Sequence, residues 1–223
     1  MTRTKLVDRR LPDYTKGEEI FNMVSHIVGG ALGIAALVLC VVFSAIKGDP
    51  WAVVSCSVYG TSLVFMYSVS SVYHGLSTNT SKKVMQIIDH CMIYFLIGGT
   101  YTPIVMCSVR QVSPGWAWTL FGLVWGCAAT AAVFTAIDLK KYAALSMACY
   151  IGMGWCVIIA IKPMFDAMSI PGLLWLLAGG IAYTVGAVIY GLGRRHRYMH
   201  SIFHLFVVLG SVLQFFCIFF YVI

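Results

Sequence analysis

Seven long runs of hydrophobic residues alternate with short polar breaks along the chain. The runs cover residues 21–46, 51–74, 84–108, 115–136, 142–161, 171–192 and 200–222. Charged residues, glycine or proline mark the breaks, at residues 47–50, 79–83, 110–114, 138–141, 162–166 and 194–197. A helix that crosses a membrane needs about 20 consecutive apolar residues. The pattern therefore predicts an all-α protein, a bundle of seven transmembrane helices.

Composition supports a membrane protein built as one unit. Hydrophobic residues make up 60% of the 223 positions and charged residues 10%, whereas a soluble domain is about one quarter charged. No break is long enough to hold a second domain. We therefore predict a cytoplasmic N-terminal segment over residues 1–19 and a seven-helix domain over residues 20–223. The polar start and the long first run are not typical of a cleaved secretory signal.

The distribution of positive charge predicts the orientation of the bundle. If the N-terminus is cytoplasmic, three of the fifteen Lys and Arg residues face the outside, namely Lys47, Arg110 and Lys162, and the other twelve face the inside. Cytoplasmic loops carry an excess of Lys and Arg, so we predict a cytoplasmic N-terminus and an extracytoplasmic C-terminus. The net charge of +7 reflects this topology and attraction to anionic lipid, and we expect no nucleic-acid partner.

Cysteines and glycines inside the runs are interpreted as packing residues. Eight cysteines are present and none forms a Cys-x-x-Cys pair, so we expect small buried hydrophobes rather than disulfides or a thiolate metal site. Glycines occur in clusters, such as Gly29, Gly30 and Gly33. Clusters of this kind are typical of helices that pack closely in a membrane.

Three polar motifs interrupt the apolar runs: Ser70-x-x-x-His74, Asp89, and His200-x-x-x-His204. A carboxylate at the centre of a membrane helix costs about 2.5–3.5 kcal/mol, which makes Asp89 a functional candidate. Histidines four residues apart project from one helix face. Three imidazoles and a carboxylate match an open zinc site, with three protein ligands and a water held by the acid. On the predicted topology all three motifs lie near the cytoplasmic boundary, so we expect them to share one depth.

Each of these residues also has a structural interpretation. Asp89 can be the counter-ion of a Lys or Arg, and the Ser70 hydroxyl can bond its own helix backbone. His74 can be an interfacial residue, and His200 can belong to the basic turn that precedes it. The combination of five such residues at one depth favours the functional interpretation over these separate ones.

The three other histidines are interpreted as structural or supporting. His90 follows Asp89 directly, and on a helix the two side chains point about 100° apart. His196 lies in the basic loop before the seventh span. His26 lies at the depth of the candidate site on the first span, and we assign it a supporting or packing role.

The N-terminal motif Tyr14-Thr15-Lys16-Gly17-Glu18-Glu19-Ile20, followed by Asn22-x-x-Ser25-His26, resembles the signature of the bacterial hemolysin III family. That family is the prokaryotic branch of the progestin and adipoQ receptors. The wider superfamily includes the alkaline ceramidases and is proposed to consist of membrane metal-dependent hydrolases. The resemblance extends from residue 14 to residue 223 and includes the seven spans and all three polar motifs.

The resemblance implies a function and a set of site residues. His74, His200 and His204 would bind zinc, Asp89 would act on the water at the metal, and Ser70 would lie close by. The implied protein is a multi-pass protein of the bacterial inner membrane. It would hydrolyse lipid amide or ester bonds at the cytoplasmic leaflet, as a ceramidase-like amidohydrolase does, and so contribute to membrane lipid homeostasis. Membrane lipids are its expected partners.

Other functions remain open from the sequence. The main alternative is a sensor or regulator of the membrane, in which zinc is a structural clamp on the second, third and seventh spans. A proton or ion pathway would use Asp89 and the histidines as a relay, but the outer halves of the spans hold no second charged site. A cytolytic pore is disfavoured because the spans are too hydrophobic for a soluble precursor.

Overall fold

Long helices make up most of the protein. The computed structural model describes residues 4–193 and 196–223, and these contain seven helices long and apolar enough to cross a membrane. The helices are α1 (Lys16–Ile46), α2 (Pro50–Gly75), α3 (Thr80–Val112), α4 (Pro114–Ile137), α5 (Ala143–Ala167), α6 (Ile170–Leu192) and α7 (Met199–Tyr221). The prediction of an all-α, seven-span protein is confirmed. Its orientation relative to the two sides of the membrane stays a prediction, and Arg194 and Arg195 of the last predicted break lie outside the described residues.

Polar side chains determine where the first three helices begin. The Thr15 hydroxyl accepts the Glu18 N–H at 3.2 Å, and the Glu18 carboxylate accepts the Thr15 N–H at 2.8 Å. This capping box starts α1 at Lys16, inside the segment predicted as a polar tail. The Asp49 and Asn79 side chains cap α2 and α3 by accepting backbone N–H groups of the first turn, without the reciprocal bond of a capping box.

Helix α5 is interrupted in its middle. It consists of an α-helix, a 3₁₀ turn and a second α-helix, over Ala143–Trp155, Cys156–Ala160 and Ile161–Ala167. The Tyr101 hydroxyl of α3 donates to the Gly154 carbonyl at 2.9 Å and accepts the Val157 N–H at 3.1 Å. A broken helix is tolerated at membrane depth where neighbouring protein groups bond the freed backbone. Tyr101 provides those bonds here.

The predicted break at residues 162–166 is wrong. These residues lie inside the second half of α5, which continues to Ala167. Pro163 is the third residue of that half, where a backbone N–H has no partner within the helix. Proline is therefore tolerated at this position and does not end the helix.

Helices α1 and α2 pack closely as an antiparallel hairpin. A Cβ atom on Gly60 would lie 2.6 Å from Leu37 Cα, and one on Gly29 would lie 2.6 Å from the Tyr67 ring. Only glycine permits these backbones to come so near, as the glycine clusters predicted. The short connection Lys47–Asp49 joins the helices. Residues at similar distances from it therefore face each other, which brings the start of α1 beside the end of α2.

Residues 4–15 lie across one end of the bundle, formed by the start of α1, the end of α2 and the starts of α3 and α7. We call it the histidine end. The Thr4 N–H donates to the Asp138 carboxylate at 3.0 Å, in the loop between α4 and α5. Lys83 of α3 donates to the Val7 carbonyl at 2.6 Å. The N-terminal segment is thereby fixed to several helices beside the candidate site.

Candidate metal centre

Three imidazole rings from two helices converge at the histidine end. His74 lies in the last turn of α2, and His200 and His204 lie in the first two turns of α7. His200 Nε2 is 3.4 Å from His74 Nε2 and 3.0 Å from His204 Nε2. Two ligand atoms at about 2.0–2.1 Å from a tetrahedral zinc ion lie about 3.3–3.4 Å apart. The spacing fits one shared ion, so this histidine group can hold a metal.

Contacts with α1 determine where α7 begins. The Tyr198 N–H donates to the Glu18 carboxylate at 2.7 Å, and Tyr198 itself has a left-handed backbone with φ of 60°. That conformation is uncommon outside glycine and turns the chain sharply into α7. One turn later, the Ser201 hydroxyl donates to the Asn22 side-chain oxygen at 2.7 Å. The positions of both α7 histidines therefore depend on α1.

His74 is held by an acid to which the sequence analysis assigned no role. His74 Nδ1 donates to a Glu19 carboxylate oxygen at 2.6 Å, which leaves the Nε2 lone pair free to bind a metal. The other oxygen of Glu19 is 2.8 Å from Lys82 Nζ. A signal was available, because Glu19 and His74 lie at similar distances from the connection between α1 and α2. The contact between Glu19 and His74 can be predicted from these distances only if α1 and α2 are known to pack closely against each other.

Asp89 and Ser70 lie in the wall of one cavity with His200 and His204. Asp89 comes from the first half of α3 and is 8% exposed, and Ser70 is fully buried one turn before His74. The Ser70 hydroxyl has no hydrogen-bond partner among the described residues. The structure thus places four of the five selected residues in one cavity wall, and the fifth, His74, converges with His200 and His204.

The remaining histidines lie in three different settings. His90 Nδ1 bonds the Gln86 carbonyl of its own helix at 2.8 Å and lies 3.6 Å from the Asp89 carboxylate, and the ring lines the cavity. Adjacent residues differ by about 100° in direction, but their Cα atoms are only about 3.8 Å apart, so a long ring can still reach its neighbour. His26 stacks on His204 with ring centroids 3.7 Å apart. His196 is exposed in the loop before α7.

A cavity of about 360 Å³ extends from the histidines into the bundle. Most of its wall is hydrocarbon from α3, α5, α6 and α7. It reaches Gln214, which is ten residues beyond His204 on α7 and therefore roughly 15 Å deeper. Ile158 and Phe165 of α5 and Leu177 of α6 line the cavity and are 55%, 56% and 44% exposed.

Tyr14 of the N-terminal segment covers the histidine group. Its ring stacks on His200 with centroids 5.0 Å apart and lies 5.9 Å from the His74 ring. Burial raises the pKa of Tyr14 far above its ordinary value. In the sequence, Tyr14 stands out only as part of the N-terminal motif, because nothing in the local pattern places it against His200.

Comparison with known proteins identifies the family of the chain. The family model for haemolysin-III related proteins matches residues 14–215. The chain is 38% identical to hemolysin-3 of Bacillus cereus over 214 residues, 96% of this chain and 95% of that protein. It is 38% identical to a hemolysin-3 homolog of Bacillus subtilis (strain 168) over 208 residues, 93% and 96% of the two chains. The human monocyte to macrophage differentiation factor is 26% identical over 205 residues, 89% and 79% of the two chains. The chain is therefore a multi-pass membrane protein that belongs to the haemolysin III family.

Proposed function

We propose that this protein is a zinc-dependent hydrolase that cleaves amide or ester bonds of lipids at the cytoplasmic leaflet of the bacterial inner membrane. One observation carries the proposal: His200 and His204 of the histidine group line the polar end of a long apolar cavity whose wall also holds Asp89 and Ser70. Structural zinc sites usually use four protein ligands, whereas catalytic sites use three and keep one position open.

The residues around the histidine group supply what hydrolysis needs. The three imidazoles would hold the zinc ion, which would supply a Lewis acid and bring the pKa of a water towards 7. Asp89 is not part of the converging ligand set, and in the proposal it accepts the proton of the attacking water. It then returns that proton to the leaving amine or alcohol. The Ser70 hydroxyl donates to the developing oxyanion, and one such donor can contribute about 2.7–4 kcal/mol.

The cavity supports a lipid as the substrate. Its apolar wall takes an acyl chain, with each buried CH₂ contributing about 0.8 kcal/mol, and the polar residues at the histidine end orient the bond to be cleaved. In the proposal the acyl chain enters from the bilayer between α5 and α6, past Ile158, Phe165 and Leu177, which line the cavity and are exposed. Lys and Arg residues at the predicted cytoplasmic face attract anionic headgroups.

The test is turnover by purified protein in liposomes that contain lipid amides and esters with different acyl chains. We expect fatty acid release by the wild type and a loss of at least about 100-fold in Asp89→Asn, with the zinc content unchanged. Asp166→Asn is the matched control, because Asp166 is an exposed acid near the end of α5 and does not line the cavity. Full activity of Asp89→Asn on a verified substrate would contradict the role of Asp89.

A regulator with a structural zinc ion is the second candidate. It is favoured by the way in which the histidine group joins α2 to α7, while Glu19 and Asn22 connect both helices to α1. In that case zinc binds and stabilises the protein, but no lipid is cleaved. Turnover that depends on Asp89 distinguishes the hydrolase from the regulator.

A further inference from the structure

Glu19 of α1 and Lys82 of α3 form an ion pair directly behind His74. One Glu19 oxygen accepts from His74 Nδ1 at 2.6 Å, and the other lies 2.8 Å from Lys82 Nζ. The side chains of His74, Lys82 and Glu19 are 0%, 5% and 19% exposed. Lys82 Nζ also donates to the Leu76 carbonyl at 2.9 Å. Contacts from three helices therefore meet at one ring of the histidine group.

The carboxylate of Glu19 selects one form of His74. A neutral imidazole presents an Nε2 lone pair only when its proton is on Nδ1, and the group bonded to Nδ1 decides which tautomer is present. A carboxylate accepts hydrogen bonds and donates none, so it enforces the Nδ1–H form. It also makes the ring a more basic ligand and fixes its orientation.

Lys82 is the group that holds Glu19. A carboxylate enclosed among helices is costly unless it is paired and hydrogen-bonded, and the Lys82 ammonium supplies the charge. That ammonium is itself anchored by the Leu76 carbonyl at the end of α2, where the helix dipole favours a cation. The ion pair is thus tied to the helix that carries His74.

We propose that Glu19 is the positioning residue for His74 and that Lys82 acts through Glu19. The metal affinity of the histidine group then depends on two residues that do not touch the ion. This inference rests on the proposed function only in that the histidine group binds zinc, and it requires no turnover.

The experiment measures the zinc dissociation constant of the full chain by competition with a chelating indicator. We expect Glu19→Gln to weaken binding about 10–100-fold. Lys82→Met should weaken it less and Lys82→Arg should restore it. The double variant Glu19→Gln/Lys82→Met should bind zinc no more weakly than Glu19→Gln alone, because Lys82 acts through Glu19. Lys83→Met is the matched control, because Lys83 is the neighbouring lysine and donates to the Val7 carbonyl instead.

A second measurement separates positioning from a purely structural role. Nitrogen-15 NMR of histidine-labelled, metal-free protein should show His74 in the Nδ1–H form in the wild type and in a mixture of tautomers in Glu19→Gln. Unchanged zinc affinity and an unchanged His74 tautomer in Glu19→Gln would overturn the proposal. If the wild type itself binds no zinc, the proposed function fails, and the tautomer measurement still decides whether Glu19 controls His74.

Discussion

His26 of α1 and His204 of α7 stack face to face, with ring centroids 3.7 Å apart and ring planes 15° apart. Tyr67 of α2 meets the His26 ring edge-on at 5.0 Å. Neither nitrogen of His26 has a hydrogen-bond partner among the described residues. His26 therefore acts as a flat surface against which a ring of the histidine group packs.

Replacing His26 with phenylalanine tests this packing role. A buried polar group without a partner costs about 1–3 kcal/mol, whereas an apolar group of similar shape can be neutral or stabilising. We expect His26→Phe to keep its zinc and to melt at or above the wild-type temperature. His26→Ala should melt lower because it leaves a void. Elemental analysis and thermal unfolding in detergent check this. Loss of zinc in His26→Phe would contradict the packing role, because it would show that the ring nitrogens of His26 contribute to metal binding.

Tyr101→Phe should destabilise the protein, because it leaves the Gly154 carbonyl and the Val157 N–H at the break in α5 without the Tyr101 hydroxyl. Each unpaired backbone group costs about 1–3 kcal/mol. The matched control is Tyr59→Phe, because the buried Tyr59 hydroxyl has no hydrogen-bond partner among the described residues. Thermal unfolding should show a lower melting temperature for Tyr101→Phe and an equal or higher one for Tyr59→Phe. Equal losses in both variants would contradict this account of the break.

Gly60→Ala should weaken the hairpin of α1 and α2. The added methyl group would lie 2.6 Å from Leu37 Cα, so the two backbones must separate; overpacking of this kind typically costs about 1–3 kcal/mol. A methyl group on Gly126 meets no atom within 4 Å, and alanine is a better helix former than glycine by about 0.5–1 kcal/mol. We expect a lower melting temperature for Gly60→Ala and an unchanged or higher one for Gly126→Ala. The opposite order would rule out close packing at Gly60.

Zinc should stabilise the folded protein by linking α2 to α7. A ligand that binds only the folded state at 100 times its dissociation constant adds about 2.7 kcal/mol. We expect chelator-treated wild type to gain melting temperature when zinc is added back, and His74→Ala, His200→Ala and His204→Ala to gain little. His196→Ala is the control, because His196 is exposed and outside the histidine group. An equal rise in melting temperature in all variants would mean that zinc stabilises the protein at a site other than the histidine group.

Asp138 should make the stability of the protein sensitive to acid. Hydrogen bonds from the backbone N–H groups of Lys141 and Thr4 lower the pKa of Asp138 from 3.8 to about 2. Because the folded value is the lower one, its contribution is fully present above the unfolded pKa and is lost as the pH falls towards about 2. We expect Asp138→Asn to melt below the wild type at neutral pH, with the difference shrinking between pH 4 and pH 2. A difference that grows on acidification would contradict this assignment.

The sequence by itself determined the seven spans and the candidate residues. Hydrophobic length is a local property, and a chain that crosses a bilayer without closing a barrel must be helical. Polar side chains such as Asp89 and His204 stand out in such spans because burying them is costly. The order and direction of the spans place the candidate residues of α2, α3 and α7 at one depth in the membrane. The five residues were selected together for that reason.

The tertiary structure alone decided which side chains meet. Glu19 behind His74, His26 on His204 and Tyr14 on His200 depend on the rotation and lateral packing of helices, which hydrophobicity does not specify. The break in α5 was equally hidden, because Cys156–Ala160 is entirely apolar and its freed backbone groups are bonded by Tyr101 of another helix. Depth in a membrane can be read along one chain, whereas lateral contacts arise only from the shapes of all seven helices packed together.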